Sequence, residues 1–154
     1  MRILSDLLRS LDHPALMAVD AVASLGYDEF HMDAWGADVL VSASQKGLMT
    51  PPGLGFIWFS DRAAERCRGG DLASPYWDWT GRAKANEFYQ YFAETAPTHH
   101  IFGLSEALAM LKEKGMPAVW SRHDRLARTV WAAFDAWGQG NPEIRLNVAD
   151  PAHR

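Results

Sequence analysis

Two compact apolar runs, "ALMAVDAV" (15–22) and "DVLVSAS" (38–44), constrain this chain more than any other feature. Each is short, continuous and apolar, the pattern of an interior strand. The 17 residues between Asp20 and Asp38 are too many for a tight hairpin. They reach the dozen or so that a crossover between parallel strands requires. The two runs are therefore expected to lie parallel, with their carboxyl ends pointing the same way. Asp20 falls at the end of the first and Lys46 just beyond the second. A third run, "LGFIWFS", follows the turn "TPPG", and so short a connection brings it back antiparallel to the second.

Helical periodicity surrounds this sheet. "RILSDLLRSLDHP" places Ile3, Leu4, Leu7, Leu8 and Leu11 on one helical face and ends at Pro14. The stretch from Arg68 to His100 mixes glycine, proline and aromatics without sustained period, and reads as a long irregular segment of the kind that often carries function. "GLSEALAMLKEKG" then sets Leu104, Ala107, Leu108 and Leu111 at helical spacing, with Gly115 as its stop. A longer helix follows from Met116, with Pro117 in its first turn, Val119, Leu126, Val130, Phe134 and Trp137 on one face, and Gly138 as its stop. "EIRLNVADP" is expected to begin another strand.

Composition narrows the class. At 154 residues and 48% hydrophobic, the chain has the makings of one globular domain with a sizeable core. Its 19 acids and 15 bases are spread along the sequence, so no basic stripe points to nucleic acid or a membrane surface. A single cysteine, Cys67, rules out an intramolecular disulfide framework and fits a reducing compartment; in "AERCRGG" it reads as a surface or packing residue. No run approaches the roughly 20 apolar residues of a membrane span, and the opening lacks a signal peptide's apolar stretch. A cytoplasmic location is expected.

Asp20 and Lys46 hold the chemical interest. Ligands of open α/β sheets sit in the crevice outside the carboxyl ends of the strands. An acid and a lysine there have one joint use in pyridoxal phosphate chemistry: the lysine forms a Schiff base with the aldehyde and the acid partners the ring nitrogen. A structural salt bridge accounts for the same two residues equally well. His99 and His100, adjacent and so on opposite faces of a strand, do not make a metal site. Tyr76, Trp77 and Trp79 read as core or interface packing.

The words around these residues carry a resemblance. "HPALMAVDAVASLG" together with "MDAWGADVLVSASQKGLMTPPGLGFIWFS", and later "SPYWDW" and "TAPTHHIFGLSEALAML", resemble the class V, fold-type I aminotransferases, in the branch of the serine–glyoxylate and alanine–glyoxylate enzymes. The implied fold is part of the large domain of the fold-type I pyridoxal-phosphate transferases: α/β, a mostly parallel sheet with one antiparallel strand, and helices leading toward a small domain. Residues 1–138 would be the partial cofactor-binding large domain and 139–154 the start of the small one. The implied cofactor is pyridoxal 5'-phosphate, with Lys46 as the Schiff-base lysine and Asp20 as partner of the pyridine nitrogen. Val22 would pack on the ring, Gln45 would bond the phosphate, and Ser24 would lie near the cofactor or cap a turn. Thr95, in "T-x-P", would reach the phosphate of a neighbouring subunit, which implies a homodimer. The family's aromatic hydroxyl three residues earlier is replaced here by Phe92, with Tyr91 beside it.

The resemblance implies transamination between serine or alanine and glyoxylate, giving glycine and a 2-keto acid. Full-length members begin before residue 1 and continue past residue 154, and those segments supply further phosphate ligands and the arginine that grips the substrate carboxylate. Two alternatives follow: a catalytically silent fragment of such an enzyme, or another class V chemistry such as a desulfurase or lyase. Desulfurase-type members tend to carry histidine before the lysine, where this chain has Gln45.

Overall fold

The computed structural model describes residues 2–70, 74, 76–92 and 95–151. Strand β1 (Ala18–Asp20) lies parallel to β2 (Val39–Ala43), with Ala18 opposite Val39 and Asp20 opposite Val41. Strand β3 (Gly55–Phe59) runs antiparallel along the other side of β2, from Val39 opposite Phe59 to Ala43 opposite Gly55. The order is β1-β2-β3, in the directions the connection lengths predict. Strand β2 alternates strictly, with Leu40 and Ser42 buried between half-buried neighbours. The buried Ser42 hydroxyl donates to the Ala21 carbonyl at 3.2 Å, so its polar group is satisfied inside the sheet.

Helix α1 (Arg2–Ser10) forms where its leucines predict, but it does not bury them. Ser5 is its buried residue, while Ile3, Leu4, Leu7 and Leu11 are exposed. The reason lies in the crossover, which contains the single turn α2 (Met32–Trp35) and ends at Gly36 with φ 70°. A side chain at Gly36 would collide with Ser5 and the Arg9 guanidinium, so the polar flank of α1 is the one that fits against the crossover.

Asp38 ties the amino-terminal end of β2 together. Its buried carboxylate accepts from the Met17 N–H at 2.8 Å, from the Ser60 hydroxyl at 3.1 Å and from Arg62 at 2.9 Å. Arg62 also donates to the carbonyls of His13 and Ala15. It sits in α3 (Asp61–Arg68), a helix absent from the sequence reading. Ser60 caps α3 by accepting from the Ala63 N–H, Asp61 occupies the first turn, and Arg66 and Arg68 occupy the last. Cys67, on α3, is exposed.

Among its described residues, the segment read as irregular contains short helical pieces, α4 (Trp79–Ala83), capped by Asp78, and a 3-10 turn (Phe88–Phe92). Trp79 packs on Phe59 with ring centroids 5.4 Å apart, whereas Tyr76 and Trp77 are exposed. Helix α5 (Thr98–Lys114) begins ahead of Gly103, so His99 and His100 are helical rather than extended. Adjacent helical residues also diverge, and no metal-binding group occurs among the described residues. Helix α6 (Met116–Gly140) runs on past Gly138, and Glu143 to Pro151 forms no strand. No helix among the described residues is long and apolar enough to cross a membrane.

Around their junction α5 and α6 pack against the sheet. Leu111 of α5 and Val119 of α6 form a buried cluster with Leu48, and Leu25, Phe56, Leu104 and Met116 pack around it. Farther along α6 the expected inner face is uncovered: Leu126, Val130, Phe134 and Trp137 are all exposed. The cluster therefore sits directly beneath the loops that leave the carboxyl ends of β1 and β2.

Candidate active site

Asp20 is the last residue of β1, and its Oδ1 accepts the Val22 N–H at 2.9 Å. The ladder continues one residue further, where the Ala21 N–H donates to the Val41 carbonyl at 2.8 Å. The chain then turns: the N–H groups of Ser24 and Leu25 both donate to the Ala21 carbonyl, and Gly26 takes φ 87°.

Beyond β2, Ser44 is completely buried, and the loop that follows folds back on it. The Ser44 N–H donates to the Leu54 carbonyl at 3.1 Å and its hydroxyl to the Pro51 carbonyl at 2.9 Å. The Ser44 carbonyl accepts from the Thr50 N–H at 3.2 Å and from the Thr50 hydroxyl at 3.1 Å. Within the loop the Met49 N–H donates to the Lys46 carbonyl, and Met49 adopts a left-handed φ of 58°. Leu48 drops into the core cluster.

The two strand-end loops touch. A Cβ on Gly47 would collide with the Leu25 carbonyl, so the absence of a side chain is what lets these backbones meet. Asp20, Val22 and Ser24 from one loop and Gln45 and Lys46 from the other are thus brought to one edge of the sheet. Val22 and Ser24 are half-buried; Asp20, Gln45 and Lys46 are exposed. Asp20 and Lys46 do not pair with each other, and among the described residues neither makes a salt bridge. That removes the structural salt bridge as an account of the two.

Thr95 lies elsewhere, exposed on the bend that leads into α5. Its segment is linked to the lysine loop through His100, whose Nε2–H donates to the Pro52 carbonyl at 3.1 Å. No contact joins Thr95 itself to Asp20 or Lys46 among the described residues. Two cavities, of about 410 and 450 Å³, lie around Asp38 and around the α4 segment. Neither is lined by Asp20 or Lys46, which are both exposed. Ser44 and Thr50 were missed as site-building residues, although small polar side chains flanking a charged one in an apolar run were a usable signal.

Residues 4–153 match the model of the aminotransferase class-V family. The chain belongs to the class-V aminotransferases. This class-V chain is 42% identical over 135 residues to the L-aspartate–glyoxylate aminotransferase of Paracoccus denitrificans, covering 84% of this chain and 33% of that protein. It is 42% identical over 131 residues to the serine–glyoxylate aminotransferase of Methylorubrum extorquens, covering 82% and 32%. The crystal structure of an alanine–glyoxylate aminotransferase from Nostoc sp. superposes with a TM-score of 0.77 at 31% identity, over 88% of this chain and 36% of that one. This class-V chain therefore spans about a third of the length of the curated relatives it matches. Family membership implies pyridoxal phosphate as the cofactor, and the fold-type I architecture agrees with the mixed sheet described above.

Proposed function

We propose that this chain carries the lysine and the acid of a pyridoxal-phosphate site that transfers an amino group from serine or alanine to glyoxylate, giving glycine and a 2-keto acid. The observation that supports it best is the placement of Asp20 and Lys46 at the carboxyl ends of neighbouring parallel strands, exposed and with no charged partner among the described residues. The donor set fits the cofactor: Lys46 offers a primary amine, and Asp20 keeps Oδ2 for a cationic ring nitrogen while Oδ1 holds the Val22 N–H. When bound, pyridoxal phosphate supplies an electron sink that lets the substrate α-carbon lose a proton.

The chain's own residues divide the remaining work. With pyridoxal phosphate bound, Lys46 would hold it through its primary amine and would serve as the general acid-base for the proton at the substrate α-carbon. Asp20 would hold the protonated ring nitrogen. Val22 would pack against the ring, Ser24 would lie beside it, and Gln45 would hold the phosphate. Thr95 would help hold the phosphate bound by a second copy, which would make the working form a homodimer; Phe92 would bring no hydroxyl to that contact. Residues 1–138 belong to the cofactor-binding domain and 139–154 open the next.

The test is covalent mapping. Purified chain mixed with pyridoxal phosphate and reduced with borohydride is expected to carry the adduct at Lys46, and Lys46→Arg to abolish it. A folded sample with no label at Lys46 would overturn the assignment.

A further inference from the structure

The backbone around Lys46 is far more constrained than its side chain. On one side stands Ser44, wholly buried, with its N–H, hydroxyl and carbonyl all bonded. On the other, Leu48 is anchored in the core cluster. The loop is closed by Thr50, itself buried, whose N–H and hydroxyl both reach the Ser44 carbonyl, at 3.2 and 3.1 Å. The Thr50 hydroxyl also approaches the Pro51 carbonyl at 3.4 Å, but it has one proton, and the shorter path to Ser44 is the better bond. Pro51 in turn accepts from the Ser44 hydroxyl at 2.9 Å, so residues 44, 50 and 51 close the loop that contains Lys46. An exposed, flexible lysine on a fixed stem searches a small volume, and a reactive group works only when its support is fixed.

We infer that Thr50 is a positioning residue for Lys46: its hydroxyl locks the 44–51 loop and thereby aims the lysine into the strand-end crevice. The inference rests on the cofactor reading of Lys46. It gives the threonine a role that its shape alone does not fill, because valine has the same outline and cannot donate to Ser44.

The experiment uses the 154-residue chain with pyridoxal phosphate as probe. It reads the share of borohydride-fixed label at Lys46 relative to Lys84, Lys112 and Lys114, the other lysines of the sequence. Amide hydrogen exchange across residues 46–50 is followed alongside. In Thr50→Val, exchange in the loop is expected to quicken and the preference for Lys46 to fall, each by about fivefold, the equivalent of one net hydrogen bond. Thr50→Ser is expected to restore both. Unchanged preference for Lys46 in Thr50→Val, even with faster exchange, would reduce Thr50 to a stabilising residue and overturn the inference. Loss of the folded circular dichroism signal in Thr50→Val, with Thr50→Ser intact, would do the same by making Thr50 a folding residue. Wild-type chain labelled no more at Lys46 than at the other lysines would instead sink the cofactor reading.

Discussion

Replacing Asp38 with asparagine removes the charge that Arg62 pairs with and weakens what the Met17 N–H and Ser60 hydroxyl donate to. Because the carboxylate is buried and charge-assisted, Asp38→Asn is expected to destabilise the fold by about 2 kcal/mol, read as a lower urea midpoint. Arg62→Met is expected to cost less, since Arg62 is half exposed and screened by water. Asp20 and Lys46 were legible in the sequence because each stands at the end of an apolar run whose direction the connection length dictates. Asp38 was not, although it opens such a run. Its partners come from positions 17, 60 and 62, and nothing local to "DVLVSAS" announces them. Thr50 was hidden for the opposite reason: before two prolines it reads as an ordinary turn residue, and only burial reveals that its hydroxyl faces Ser44.

Among the elements, α5 and α6 separate what periodicity can and cannot say. Leu111 and Leu126 both fall on faces that a 3.6-residue repeat marks as apolar, yet Leu111 is buried and Leu126 is exposed. Leu111→Ala is expected to lower stability by about 3 kcal/mol, as for a core leucine leaving a cavity. Leu126→Ala in the same chain is expected to change stability by no more than about 0.5 kcal/mol, read from urea unfolding. Periodicity identifies a face that could be covered; which neighbour covers it is a tertiary fact. The same holds for α1, whose leucine face is turned outward because Gly36 accepts Ser5 and Arg9 instead. Helix α3 escaped notice because "DRAAERCR" is short and mostly charged, with no apolar stripe to count, and its formation depends on the Ser60 cap. The early start of α5 was masked by "TAPTHH", where proline and paired histidines look like a loop although Pro97 serves as the residue before the first turn.

At the scale of the whole molecule, strand directions followed from connection lengths alone, and the class-V words named the family to which the chain belongs. What surrounds the candidate site does not follow from these residues: neither described cavity includes Asp20 or Lys46. Both side chains are exposed to water, and the proposed transamination would depend on tight placement of substrate as well as on the lysine. The 154-residue polypeptide by itself is therefore expected to show no turnover of serine or alanine with glyoxylate above background, followed as glycine formation. Turnover at an enzyme's ordinary rate would show that these residues supply that placement themselves. The anchors of the lysine loop are Ser44, Leu48, Thr50 and Pro51, and among the described residues the amine of Lys46 contributes to none of them. Folding of the loop thus does not draw on the amine at position 46. A lineage that had ceased to need an amine there could lose it by drift without losing an anchor of the loop, so stability gives no account of why the residue is a lysine.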